Sequence, residues 1–382
     1  MRRPIHAFAG LALAALFAAC ADTPVPTVPG AEREANLDAP TQALAGAVFT
    51  STNGADGNHV LVFPRYADGQ IGEPAMAPTG GTGSGAGDLG AQGAVTLSDD
   101  GRWLLVVNAG SDDVSVFRLS AAELTLTDRV PSGGTFPVSV AIHGDKVAVL
   151  NAGMPNNITG FRLSPDGKLM QVPGSTQPLS AEMTGPAQAA FHPNGHALVV
   201  TEKATNLITT FILGEDGVLR RSTASASPTP FGFAFDPRGR LVVSEAVGGE
   251  PGASMLSSYA LSRNGRVNVI TGSVATTQTA ACWVVITSNG RYAYTTNTGS
   301  GSVSSFTLDN RARLSLLDPV AANTGEGSSP IDMALSRDSR FLHVLTPGTG
   351  MVQSYAVGSG GSLSELGSVD GIPGSAYGLA AY

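Results

Sequence analysis

The sequence predicts an all-β fold: a seven-bladed β-propeller of four-stranded blades, in which strands from the N- and C-terminal ends of the chain share one blade. Three observations carry this. A two-strand phrase recurs six times, its copies lie about 48 residues apart, and the two ends of the repeat region are complementary fragments of a seventh copy.

The composition suits such a fold. Gly contributes 48 of 382 residues, charged residues 14% and hydrophobic residues 42%, a profile of short strands and tight turns rather than of amphipathic helices. The copies read GAVTLSDDGRWLLVVNAG, VSVAIHGDKVAVLNAG, AQAAFHPNGHALVVTE, FGFAFDPRGRLVVSE, CWVVITSNGRYAYTTN and IDMALSRDSRFLHVLT. Each is an apolar strand, a turn ending in Gly plus a polar residue, and a second strand rich in β-branched residues. The turn positions Gly101, Gly144, Gly195, Gly239, Gly290 and Ser339 are spaced by 43, 51, 44, 51 and 49 residues. A third strand follows each copy, at 114–119, 158–163, 207–213, 255–261, 303–308 and 351–357, then a polar turn and a weaker fourth strand. Residues 47–52 and 59–63 supply a second and third strand without a first, and 376–382 supply a first with nothing after it. Joined, they complete a blade and remove the open edge of the ring. Seven units fill residues 47–382, so the propeller is assigned to 42–382 with no second globular domain.

Residues 1–19 read as a targeting segment. Arg2 and Arg3 precede 13 uncharged residues, 7–19, too few to span a bilayer, and Cys20 follows at once. The run Leu16-Phe17-Ala18-Ala19-Cys20 resembles the bacterial lipobox, with Phe17 where that pattern prefers Leu, and implies acylation of Cys20. The stretch from Cys20 to residue 41, rich in Pro, Ala and acids, suits a flexible tether. A net charge of −8 argues against a nucleic-acid surface. With Cys20 acylated no disulfide can form, and Cys282 is expected to be a small buried hydrophobe.

Local motifs yield little chemistry. The loop 79–93 contains a G-x-G-x-x-G at Gly85, Gly87 and Gly90, but no strand leads into it and no helix follows, so it is expected to be a flexible connection between blades. His192 and His196 flank Pro193-Asn194-Gly195, a solvated hairpin turn rather than one face of a helix, and no metal or cofactor site is expected. There is no Gly-x-Ser-x-Gly elbow, and six histidines leave little for a Ser-His-Asp triad.

Alignment of the repeats gives a stronger signal. At the end of each second strand stand Asn108, Asn151, Glu202, Glu245, Asn297 and Thr346, with Asn53 equivalent in the first blade. These strand ends share one rim with the starts of the first strands, which adds Gln188, Trp283, Asp332 and Tyr377. Asn at a strand end often serves its own turn. Glu202 and Glu245 are poor turn formers and stand out as candidate catalytic carboxylates, with Gln188, Asn108, Asn151, Asn297, Trp283, Asp332 and Tyr377 as candidate ligand contacts. The rim holds acids, amides and aromatics and no arginine, and strand alternation is expected to turn Lys203 away from it.

With these residues in view, the repeats resemble the propeller lactonase family, which includes 6-phosphogluconolactonases and 3-carboxymuconate lactonizing enzymes. The likeness is clearest in Gly185-Pro186 through Phe191-His192-Pro193-Asn194-Gly195 and in Asp236-Pro237-Arg238-Gly239-Arg240. Tyr294-Thr295-Thr296-Asn297 with Val303-Ser304 is similar to the YVTN-type repeat propellers. The resemblance implies Arg and His after the Gly-Pro of the fourth repeat and a glutamate at the end of the next strand. Here Ala187 and Gln188 follow Gly185-Pro186, and Gln92-Gly93 and Pro137-Val138 stand where the family often has His; only Glu202 matches.

The sequence therefore leads to a monomeric, lipid-anchored protein of the periplasm or cell surface. Its propeller is expected to bind a neutral sugar, a lactone or a peptide with a degenerate catalytic site. The alternative is a lactone hydrolase working from Glu202 and Glu245, with Gln188 or Asn151 polarising the carbonyl.

Overall fold

Hairpin-linked apolar segments fold into seven antiparallel sheets. The computed structural model describes residues 43–87, 89–214 and 217–382; the expected leader, Cys20 and the tether lie outside them. Blade 1 comprises Leu44–Ser51, His59–Tyr66 and Ala75–Pro78, completed by Tyr377–Ala381. Blade 2 is Val95–Leu97, Trp103–Asn108, Asp113–Ser120 and Glu123–Pro131. Blade 3 is Pro137–His143, Lys146–Asn151 and Asn157–Leu163, with a fourth strand split into Leu169–Gln171 and Gln177–Pro178. Blade 4 is Pro186–Phe191, Ala197–Glu202, Leu207–Gly214 and Gly217–Ala224. Blade 5 is Pro230–Phe235, Arg240–Glu245, Met255–Leu261 and Val267–Ala275. Blade 6 is Ala281–Ile286, Tyr292–Asn297, Ser302–Leu308 and Leu314–Asn323. Blade 7 is Asp332–Leu335, Phe341–Thr346, Met351–Val357 and Leu363–Val369.

First strands of successive blades touch one another in a closed ring of seven. Second strands are buried on both faces, which is why WLLVVN, YAYTTN and FLHVLT carry no polar alternation. Fourth strands lie outermost and largely exposed, as in GVLRRSTA, so their sequences read weakly. In blade 3 Pro173-Gly174 interrupts the fourth strand. Ser175 Oγ takes over there, bonding both the N–H and the C=O of Gly160 at 3.1 and 2.9 Å. An apolar cleft of about 280 Å³ opens between blades 3 and 4, lined by Ile158, Phe161, Phe191, Leu198 and Phe211.

The closing blade is firmly joined. Val48, Phe49, Thr50 and Ser51 pair with Ala381, Ala380, Leu379 and Tyr377, and Thr50 Oγ1 donates to Gly378 O at 2.6 Å. The buried Arg65 donates to Tyr382 O from Nε and Nη2 and to Ala45 O from Nη2, clamping both ends of the described chain.

His343 lies in the middle of the second strand of blade 7, fully buried, with Nδ1 2.9 Å from Ser354 Oγ and no partner for Nε2. Burial, reinforced by the charge of Arg65, pushes its pKa down to about 3. Below its ordinary value of about 6.5 the unfolded chain takes up a proton that the folded ring refuses. Its contribution to stability is therefore complete above pH 6.5 and is lost as the pH falls toward 3. We expect His343→Leu to reduce the stability lost between pH 6.5 and 4 by about 3 kcal/mol, read from urea unfolding at both pH values. An unchanged pH dependence would refute this assignment.

Candidate functional site

Each first strand is a sheet edge, so its channel-facing N–H groups have no neighbouring strand to receive them. The chain supplies acceptors one by one. At nearly the same register, Ala189 N donates to Ser139 Oγ at 3.2 Å, Phe233 N to Gln188 Oε1 at 2.6 Å and Val284 N to Gln92 Oε1 at 3.2 Å. Val140 N donates to Gly93 O at 2.8 Å. Asp332 serves two blades, accepting from Met333 N at 2.8 Å and from Leu379 N at 3.1 Å. Irregular register beside these positions in blades 1, 3, 4, 5 and 6 marks bulges that re-aim the side chains inward. Asp332 is wholly buried; desolvation pushes its carboxyl well above the usual range, against the pull of the two N–H bonds.

The loop expected to be a flexible connection is instead tied across the channel. Gln92 N donates to Ala187 O at 2.7 Å and Gln92 Nε2 to Val284 O at 3.0 Å. Ala91 N donates to Tyr377 Oη, and Ala91 O accepts from Trp283 Nε1, both at 3.0 Å. Gly83 N and Gly85 N bond Gly54 O and Asn53 O. Residues 90–93 thus plug the mouth, bonding blades 1, 3, 4 and 6 and packing against blade 5. Gly232 lies so close that an added Cβ would fall 2.2 Å from Gln92 Oε1, which explains a glycine inside a strand.

Lys203 also departs from expectation. Its strand ends at Glu202, so alternation does not govern it. Its ammonium donates to Gly90 O and sits 4.6 Å from the centre of the Phe231 ring, spanning the mouth rather than turning away.

Of the expected ligand contacts, Trp283 lines a cleft beside the plug, although it is itself only 2% exposed. This cleft of about 440 Å³ is lined chiefly by Phe231, Cys282, Trp283, Ile331, Thr298 and Ser329, with backbone and small residues between them. Among the described residues, none of those lining it is acidic, basic or His; Asp88, next to the lining residue Gly87, lies outside them. Gln188, Asp332 and Tyr377 are consumed within the ring and the plug. Cys282 is buried, 7% exposed, and contributes to the cleft floor.

The second-strand ends form a repeated internal knot. Asn53 bonds Ser84 and Ala86; Asn108 bonds Asp113, Ser115 and Asn58; Asn151 bonds Ser132 O and Asn157; Asn297 bonds Ser302 and Ser304. Each holds the incoming loop or the following strand. Glu202 and Glu245 occupy the same place with different surroundings. Glu202 accepts from Ser180 N, Ser180 Oγ and Thr205 Oγ1. Glu245 accepts from Ser225 Oγ (2.6 Å), Ser227 N (3.1 Å), Ser257 Oγ (2.6 Å) and Tyr259 Oη (2.7 Å). Donors alone surround these sites, so an acceptor-only side chain fits where an amide would set N–H against O–H. Both carboxylates are fully buried, share no partner, and stay out of the cleft. Such geometry fixes loops; it does not present a pair of carboxylates to one substrate.

Residues 57–177 and 247–377 match the sequence pattern of the family described as lactonase, seven-bladed β-propeller. The chain belongs to that lactonase family. The matched segments leave out 178–246, which holds Gln188, Glu202 and Glu245. Among solved structures, the lactonase-family chain is similar to the periplasmic gluconolactonase of Pseudomonas aeruginosa. Identity there is 17% over 88% of this chain and 98% of that one, with a TM-score of 0.68. A candidate 6-phosphogluconolactonase from Bacteroides uniformis gives 17%, 87% and 99%, and 0.68. A Lactobacillus plantarum protein gives 16%, 89% and 100%, and 0.70. At this identity the likeness is one of fold. No curated protein matches the sequence.

Two substitutions test the structural reading. Gln92→Ala strands both the N–H and C=O of Val284, and Glu245→Gln leaves donors facing an amide, so each should cost about 3 kcal/mol in urea unfolding. Losses below about 1 kcal/mol in both would show that water satisfies these groups instead.

Proposed function

We propose that the protein is a ligand-binding or scaffolding module of the bacterial cell envelope, anchored by a lipid on Cys20, in which the hydrolytic apparatus of its family has degenerated. The observation that carries this reading is the mouth cleft, whose lining among the described residues offers aromatic faces, hydroxyls and backbone but no general acid, general base or guanidinium. Its volume of about 440 Å³ falls in the range of small-molecule sites, and an apolar lining with few polar groups suits a neutral sugar ring or a peptide side chain. Lys203, a cation at the mouth, is engaged by Gly90 O and the Phe231 ring. The loss of Arg and His after Gly185-Pro186 supports the same reading, as does the periplasmic setting of the Pseudomonas aeruginosa neighbour for the compartment.

Trp283 reports on the cleft. Titration with neutral sugars, their lactones and short apolar peptides, followed by Trp fluorescence in a Trp103→Phe background, should give a saturable change with at least one class. Phe231→Ala should weaken it about tenfold. Lactones should be hydrolysed no faster than in buffer. Lactone turnover that disappears in Glu202→Gln would overturn the binding reading in favour of a hydrolase.

A further inference from the structure

On the face opposite the mouth, the first-to-second strand turns and the third-to-fourth strand turns of the blades come together. Between blades 5 and 6 they enclose an open cleft of about 520 Å³, lined by Arg238, Arg240, Arg291, Ser288, Asn289 and Asp309 among others. Arg311 and Arg313 stand on the same turn as Asp309.

The two carboxylates here are already saturated. Asp236 is buried and accepts from the backbone N–H groups of Arg238 and Arg240 and from Nε and Nη2 of Arg240. Asp309 accepts from the N–H groups of Arg311 and Arg313 and from Arg313 Nε at 2.6 Å. The Arg313 N–H, with the Arg313 guanidinium and the Arg311 N–H, holds the Asp309 carboxyl down at about 2, so it stays ionised and occupied. Arg240 and Arg313 are thereby neutralised. Among the described residues, Arg238, Arg291 and Arg311 have no carboxylate partner. They are exposed, on a chain whose net charge is −8.

Two of the guanidinium groups are also held in place. Arg238 and Arg240 both donate from Nη1 to Asn310 O, at 2.7 and 2.6 Å, which fixes Arg238 without using its charge. Arg291 lies 5.8 Å from the centre of the Tyr292 ring. Ser288 and Asn289 add a hydroxyl and an amide on the same wall. The two uncompensated guanidinium groups that line the cleft, Arg238 and Arg291, are both positioned and match a multiply charged oxyanion, because each planar fork can give two parallel N–H bonds to such a group. The cleft is too polar for an apolar guest and is wider than a single phosphate.

We propose that this lower-face cleft between blades 5 and 6 is a binding site for a phosphoryl oxyanion carrying at least two charges, either free or borne on a lipid headgroup. It lies on the far face from the mouth cleft and stands whether or not that cleft binds a neutral ligand.

The test uses the full chain at fixed ionic strength. Calorimetric titration with orthophosphate and pyrophosphate gives the free-anion arm. Co-sedimentation with phosphatidylcholine vesicles, with and without phosphatidic acid, gives the headgroup arm, read as the gain in binding from neutral to anionic vesicles. Arg238→Gln with Arg291→Gln should weaken the responding arm at least about tenfold, while Arg102→Gln with Arg118→Gln, which removes the same charge elsewhere, should leave it within about twofold. Circular dichroism of both variants should match the parent. Saturable pyrophosphate binding lost only in the first variant supports a free ligand. A vesicle response lost only in that variant, without free-anion binding, supports the headgroup source. No response in either arm, or equal losses in the two variants, would overturn the site.

Discussion

The inner rim of a propeller is a ring of sheet edges, and each edge presents backbone N–H groups that must be bonded once the channel is closed to water. Much of this molecule follows from how that requirement is met. Ser139, Gln188 and Asp332 reach from one blade to the next, and Gly93 O and the Gln92 amide reach in from the plug. The bulges in the first strands, the glycine at 232 and the crossing of residues 90–93 all serve this set of bonds. So does Asp332, a carboxyl kept in a site that penalises its charge, because one side chain with two acceptor oxygens bonds two blades where the ring closes.

The same requirement shapes the mouth. A channel whose polar side chains are committed to backbone groups has few left to act on a substrate, and what remains open beside the plug is aromatic and aliphatic. The knots at the second-strand ends add to this. Asn108, Asn151, Glu202, Glu245 and Asn297 look outward in the sequence and inward in the fold, each closing a loop rather than opening a site. Buried polar groups bonded in this way confer a single arrangement of loops, and removing one partner is costly because the other remains buried.

The blades were legible because repetition multiplies a weak signal: six copies of one hairpin phrase locate the strands to within a residue or two, and the fragments at 47–63 and 376–382 fit only one closure. The fourth strands were faint because solvent covers one face. The plug was not legible. Gln92 reads as an ordinary polar residue before a strand, and its partners lie at 187 and 284, distances no local pattern encodes. Lys203 escapes the strand alternation because it lies one residue beyond the strand end. Glu202 and Glu245 stood out for a sound reason, their poor fit to turns, but the donors that explain them, Ser180 and Ser225 with its neighbours, belong to the connection before each blade.

The ring is not equally continuous all round. Where Pro173-Gly174 breaks the outer strand of blade 3, two short pieces replace a continuous one, beside the apolar cleft that Phe161 and Phe211 line. A closed ring cannot part at one joint without loosening the strand order that both termini complete. Local opening is therefore expected to begin at the outer edge of blade 3, with the clasp in blade 1 limiting how far it travels round the circle.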